Sequence, residues 1–174
     1  MNTENTTDYS FIDAYQGYLT DERLLLKSSS GGVTRALSNA VIKHGGVVFG
    51  VRYTEDFYHA QYYRVDCIED IDKIIGSKYI YSDKQIIYNG DTVSVYQAVE
   101  NELKMGKMVL FFGLGCDVAT VKKYVSNKGA DVTKLFLVDL ICQGPTFPKV
   151  QESYLKRLEN KYSSKVCNFS VRYK

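Results

Sequence analysis

The sequence predicts an α/β fold: a largely parallel sheet with flanking helices, plus an antiparallel hairpin in the first half. Two observations carry this. Over residues 107–173 apolar runs alternate with helical periodicities in the order strand, helix, strand, helix, strand, and at that spacing the alternation builds right-handed βαβ units. Over residues 47–65 two β-rich runs flank a short polar connection, the pattern of a hairpin.

Taken in order, residues 1–13 are polar and read as a disordered tail, and residues 14–174 read as a single α/β domain. AYQGYL at 14–19 is expected to be a short strand. From Ser30 onward the apolar residues Val33, Ala36, Leu37, Ala40 and Val41 fall on one helical stripe, which Gly45 and Gly46 stop. VVFGVRY at 47–53 and HAQYYRV at 59–65 form the hairpin through Thr54, Glu55 and Asp56. A short helix at 68–75 ends at Gly76, and GSKYIYSD at 76–83 is a polar loop or edge strand.

Asn89, Gly90 and Asp91 are read as the cap of a helix whose core face is Val95, Ala98, Val99 and Leu103. KMVLFFG at 107–113 is a continuous apolar strand, and CDVATVKKYVSNKG at 116–129 is a helix with Val118, Val121, Tyr124 and Val125 inward. KLFLVDLI at 134–141 is a second buried strand. Pro148 opens a further helix at its first position, with Val150, Tyr154, Leu158 and Tyr162 on its inner face. VCNFSVRY at 166–173 closes with strand alternation, setting Cys167, Phe169, Val171 and Tyr173 on one side.

The 174 residues are 45% hydrophobic and 24% charged, an ordinary composition for one globular domain. The net charge is +2 and the lysines are scattered among acids, so the basic stripe needed to neutralise many phosphates is missing and nucleic acid is not an expected partner. The N-terminal residues lack the basic start and apolar run of a secretory signal. No apolar run approaches the roughly 18 residues of a membrane helix. The expectation is a cytoplasmic chain without a membrane span.

The four cysteines, Cys67, Cys116, Cys142 and Cys167, form no Cys-x-x-Cys pair, which removes zinc ribbons and thioredoxin-like chemistry. With only His44 and His59, and with neither Gly-x-Ser-x-Gly nor His-Glu-x-x-His, the parts of a serine hydrolase or zinc protease are missing.

Three places carry candidate chemistry. Ser28, Ser29, Ser30, Gly31 and Gly32 stand at a helix start, where they are either a structural N-cap or a loop whose hydroxyls and amides hold an anion. Gly113 and Gly115 sit in GLGCDV between a strand and a helix, with Asp139 at the end of the next strand. That arrangement is either a tight turn or part of an NAD(P)-binding fingerprint, in which Val118 stands where a third glycine or alanine is wanted. Cys116 and Cys142 occupy loops after consecutive buried strands, which would bring them near one another beyond the carboxyl ends of a parallel sheet. Cys67 and Cys167 read as structural.

Taken together, KSSSGGVTRAL at 27–37, GGVVFGVRY at 45–53, GSKYIYSD at 76–83, VLFFGLGC at 109–116 and VDLICQGPTFPKV at 138–150 resemble the coenzyme F-420 hydrogenase/dehydrogenase beta-subunit family. These are flavoproteins that pass electrons among FAD, iron–sulfur clusters and a deazaflavin or another acceptor. The resemblance implies that Ser28 to Gly32, together with Gly76, Ser77, Lys78 and Tyr79, contribute to an FAD site. It also implies that Cys116 and Cys142 correspond to cysteines used at or near an iron–sulfur cluster, for which two ligands are an incomplete set.

The flavin would relay hydride or electrons, with the protein supplying position and electrostatics. The resemblance further implies a longer family domain, and a redox partner subunit or a further segment of the same chain. Two departures stand out. The usual Gly-Thr-Pro-Cys-Gln is here Gly-Leu-Gly-Cys-Asp, and the usual Cys-His-Gly is Cys142-Gln143-Gly144. The acidic Asp117 would disfavour an electron-rich cofactor beside it. Such departures keep open a non-catalytic interaction module, of a kind linked to polysaccharide biosynthesis.

Overall fold

The structure, a computed structural model, describes residues 13–172. Its strands are β1 (Val47–Tyr53), β2 (Ala60–Val65), β3 (Ser82–Asp83), β4 (Gln85–Tyr88), β5 (Asp91–Ser94), β6 (Val109–Leu114) and β7 (Leu135–Leu140). Its helices are α1 (Glu22–Leu26), α2 (Val33–Lys43), α3 (Ile71–Ile74), α4 (Val95–Lys104), α5 (Gly115–Asn127) and α6 (Pro148–Tyr162). Five strands form one sheet in the order β3-β2-β1-β6-β7, and β4 and β5 pair separately. The β1–β6, β6–β7 and β2–β3 pairs are parallel, whereas β1 and β2 are the antiparallel hairpin.

The central strands are continuously apolar because both faces of the sheet are covered. Side chains alternate across the pleat, so Val109 and Phe111 join one cluster while Leu110 and Phe112 join the other. The first cluster seats Val95, Ala98, Val99 and Leu103 of α4, Val121 and Val125 of α5, and Ile86 and Tyr88 of the small hairpin. The second seats Val41 of α2 with Ile71 and Ile74 of α3. Each fully buried Val, Leu, Ile or Phe contributes roughly 1.5–3 kcal/mol of transfer free energy, so the two clusters hold the sheet from both sides.

The α/β class, the hairpin and the parallel second half match the sequence reading, but several local expectations do not. Residues 14–19 form no strand and lie mostly exposed, and α1 follows them unannounced. Asn89 and Gly90 do not cap a helix. They turn β4 into β5 with φ of 52° and 92°, the left-handed pair that a two-residue hairpin demands. The cap of α4 is Ser94, whose side chain accepts from the Gln97 amide.

Two helices turn a different face inward from the one expected. In α2 the buried residues are Arg35, Ser38 and Val41, while Val33 and Leu37 are exposed. In α6 they are Gln151 and Leu155, while Val150, Tyr154 and Tyr162 are exposed and Leu158 is half-buried. In α5, Val118 and Tyr124 are only half-buried and Asp117 is buried.

Residues 166–172 form no strand, and Cys167 is exposed rather than structural. Tyr173 lies outside the described residues, as does the proposed tail apart from Asp13. Among the described residues no helix is long and apolar enough to cross a membrane.

Candidate functional site

The serine–glycine loop is built by the elements on either side of it. Asp21 caps α1 by accepting from the amides of Arg23 and Leu24. One turn later the buried Ser28 hydroxyl donates back to the Leu24 carbonyl at 3.0 Å. Ser28 therefore finishes α1 instead of capping α2, whose cap residue is Gly32 with no side-chain hydrogen bond.

Gly31 and Gly32 are glycines for a packing reason. The Leu19 amide donates to the Gly31 carbonyl at 2.8 Å, and a Cβ on Gly31 would stand 2.3 Å from the Gly17 carbonyl oxygen. At Gly32, φ is +83° and a Cβ would meet the Leu19 side chain at 2.4 Å. The chain's own residues 17–19 occupy the space that the two missing side chains leave.

The two loops that resemblance assigns to flavin come together. Ser77 Oγ lies 3.0 Å from Ser29 Oγ although the residues are 48 positions apart. Gly76 has φ +88°, and nothing lies within 4 Å of its Cβ position. Lys78 folds under its own loop, its Nζ donating to the carbonyls of Ile75 (2.7 Å) and Gly76 (3.0 Å). Desolvation of the half-buried amine pushes its ammonium down to about 7. Tyr79 is exposed.

Between the loops is a cleft of about 350 Å³ lined by Leu26, Lys27, Ser28, Ser29, Gly76, Ser170 and Arg172. Among the described residues its walls carry hydroxyls and two cationic side chains and no carboxylate. Lys27 faces Asp72 at 3.3 Å, and Asp72 also pairs with the buried Arg35. Sequence reading missed Ser170 and Arg172, because an alternating run was taken for a strand. Phe169, stacked edge-on against Tyr53 at 5.7 Å, holds this segment in place.

The Gly113 loop is a second centre with a different character. β6 and β7 place Gly113 opposite Asp139, and a Cβ on Gly115 would sit 3.1 Å from the Asp139 carboxylate. The space over Gly113 is filled: a Cβ there would meet the Phe111 ring at 2.7 Å and the Tyr62 hydroxyl at 2.9 Å. Tyr62 donates to Asp117 at 3.0 Å, and Lys84 Nζ reaches the same carboxylate oxygen at 2.8 Å. Burial, followed by the adjacent Asp117 charge, pushes the Tyr62 phenol far up, so it stays a donor. Asp117 is thus held by a cation and a phenol, and its charge is compensated where the sequence suggested an unopposed acid.

Cys116 and Cys142 are both exposed free thiols, and the Gly144 amide lies 3.1 Å from Cys142 Sγ. Among the described residues no three His, Cys, Asp or Glu side chains converge as metal ligands. A further cleft of about 420 Å³ between β2, β3 and the start of α6 is lined by none of the candidate cofactor or metal residues named from sequence.

Fold and site together define an α/β protein with a cationic, hydroxyl-lined cleft beside its central sheet. No protein family and no curated protein matches the chain. Six chains of solved structures do. One belongs to the F420-reducing NiFe hydrogenase complex from Methanosarcina barkeri, with 21% identity and a TM-score of 0.59 over 85% of this chain and 53% of that one. The chain thus spans about half the length of that neighbour. At such identity the likeness establishes a shared fold.

Proposed function

We propose that the chain is a flavin-binding part of an oxidoreductase, with FAD held at the cleft between the Ser28 and Gly76 loops. The observation that carries this reading is the meeting of those loops, through Ser29 and Ser77, around a space lined, among the described residues, by hydroxyls and cations and no acid. The fold shared with a chain of an F420-reducing hydrogenase complex supports a redox role, and supports assembly with a partner subunit or a further segment.

The cleft is at the small end of ligand pockets, which run from about 300 to 1,000 Å³. It suits a pyrophosphate or one ring system, with the rest of an FAD lying over the adjoining surface. When bound, the flavin would supply hydride or single-electron transfer to a deazaflavin or another acceptor. This chain's own groups position it. Ser28 and Ser29 offer hydroxyls, Lys27 and Arg172 offer positive charge, and the open face of Gly76 allows backbone approach.

Titrating the purified chain with FAD tests the reading. The expected result is quenched flavin fluorescence, a bound flavin absorbance and a melting temperature that rises with FAD concentration. A chain that stays colourless and gains no stability at millimolar FAD is not a flavoprotein.

A competing NAD(P) reading rests on Asp139, which stands beside Gly115 on the adjacent parallel strand as a ribose-binding acid would. The side chains filling the space over Gly113 weigh against it. If NADH binds and Asp139→Ala weakens it tenfold or more, that reading replaces the first.

A further inference from the structure

The two edges of the central sheet are finished differently. At one edge β3 is two residues long, Ser82 and Asp83, both polar. A short polar edge strand is how a sheet avoids pairing with other chains. At the other edge β7 is six residues long and reads LFLVDL, with one charge. It is paired with β6 along one side and packed on α5 over one face.

The other face of β7 is left bare. Leu135 and Leu137 pack against the first core cluster, and Val138 against the second. The pleat therefore turns Phe136, Val138 and Leu140 to the side of α2 and α3. Those helices lie over β1 and β6. Phe136 stays 48% exposed, Leu140 45%, and Ile141, just past the strand, is fully exposed. Parallel strands are ordinarily covered on both faces, and an apolar edge with free backbone groups is a template for a further strand.

The features of the edge select its occupant. The only charges from residue 134 to residue 141 are Lys134 and Asp139, of opposite sign, so the strand offers no net charge for a foreign partner to match. It is complementary to itself. Two copies paired antiparallel about a two-fold axis keep their bare faces on one side only if the axis passes through a residue. An axis through Asp139 would set two carboxylates directly opposite, which is unfavourable. An axis through Val138 sets Phe136 of each copy opposite Leu140 of the other, and Ile141 opposite Leu135, so the exposed side chains cover one another. We propose that β7 is a self-association edge, at which two copies of this chain join their sheets antiparallel about Val138.

One strand edge per copy is a small interface, below about 1,200 Å² in total, and a dissociation constant on the order of micromolar is expected. Sedimentation velocity of the 174-residue chain from roughly 1 to 300 μM should show a monomer passing into a dimer. Leu140→Lys, a charge on an already exposed position of the edge, should weaken the dimer at least about tenfold and leave the melting temperature unchanged. The register is read by crosslinking in a background whose four native cysteines are replaced by serine. Opposed Cα atoms stand about 4.5–5.5 Å apart, within disulfide reach. Val138→Cys should link to itself on oxidation, and Phe136→Cys should link to Leu140→Cys when the two are mixed.

A chain that stays monomeric at the highest concentration overturns the proposal. So does a dimer that Leu140→Lys leaves intact and Val138→Cys does not link. Phe136→Cys linking to itself as readily as Val138→Cys overturns the register. No residue lining the Ser28 cleft belongs to β7, so each outcome stands whether or not FAD binds.

Discussion

Gly31 shows how much one absent methyl group decides. The carbonyl of Gly17 stands where its Cβ would be, and the Gly31 carbonyl in turn receives the Leu19 amide. Gly31→Ala must push residues 17–19 off the loop, and a loss of about 1–3 kcal/mol is expected in urea unfolding. Sequence alone leaves these glycines either in a structural helix cap or in a loop that exposes amides to an anion. The partner was hidden because it comes from a segment with no periodicity to reveal it.

Glu102 is a second residue with a measurable consequence. It is fully buried on α4 between Arg64 at 2.5 Å and Lys107 at 2.8 Å. Burial alone would raise its carboxyl, but the hydrogen bonds from Lys107 and Arg64 outweigh that and hold it below the ordinary glutamate value. Its stabilising effect is therefore complete above the unfolded-state value of about 4.3, and is lost as pH falls through the lower folded value. Glu102→Gln should remove that part of the acid dependence. It should also cost at most about 3 kcal/mol at neutral pH, since both cations keep partial access to water.

At the scale of elements, existence was legible and orientation was not. The 3.6-residue rhythm announced α2 correctly, yet the residues it turns inward include Arg35 and Ser38. The stripe rule assumes that apolar side chains face the core. Here the buried Arg35 reaches Asp72 of α3, an ion pair that gives an inward-facing charge a partner.

The expected mutational pattern is thus inverted. Leu37→Glu, on an exposed position, should change stability by no more than about 0.5 kcal/mol. Ser38→Leu, forcing bulk into a fully buried site, should cost about 1–3 kcal/mol. Paired thermal melts of the two variants check this. β1 and β6 were readable for the opposite reason: strands covered on both faces are apolar throughout, so no choice of face arises. β7, equally apolar and expected to be buried, is instead an edge strand with Phe136 and Leu140 exposed.

For the molecule as a whole, the sheet order could be anticipated in its parallel half, where short βαβ connections permit few alternatives, and in the β1–β2 hairpin. The edge strand β3 depends on a long-range pairing that no local pattern encodes, whereas the β4–β5 pair is a local hairpin whose Asn89-Gly90 turn reads equally as a helix cap. Stability should follow the same division. In native-state hydrogen exchange, the amides of β1 and β6, flanked by strands and covered by both clusters, should exchange only on global unfolding. Those of residues 164–172 should exchange through local opening, many orders of magnitude faster. Equal protection of the two regions would contradict this ranking.

That last segment also sets a timetable. Ser170 and Arg172 form one wall of the cleft whose other walls are Ser28 and Gly76. A ribosome adding about 5–20 residues per second delivers the first walls on the order of ten seconds before the last. The sheet can pair while the cleft is still missing a side, so the cleft is completed late in the synthesis of each new chain. A protease that trims residues beyond Lys165 would return a finished molecule to that earlier stage, with its core intact and its cleft open on one side.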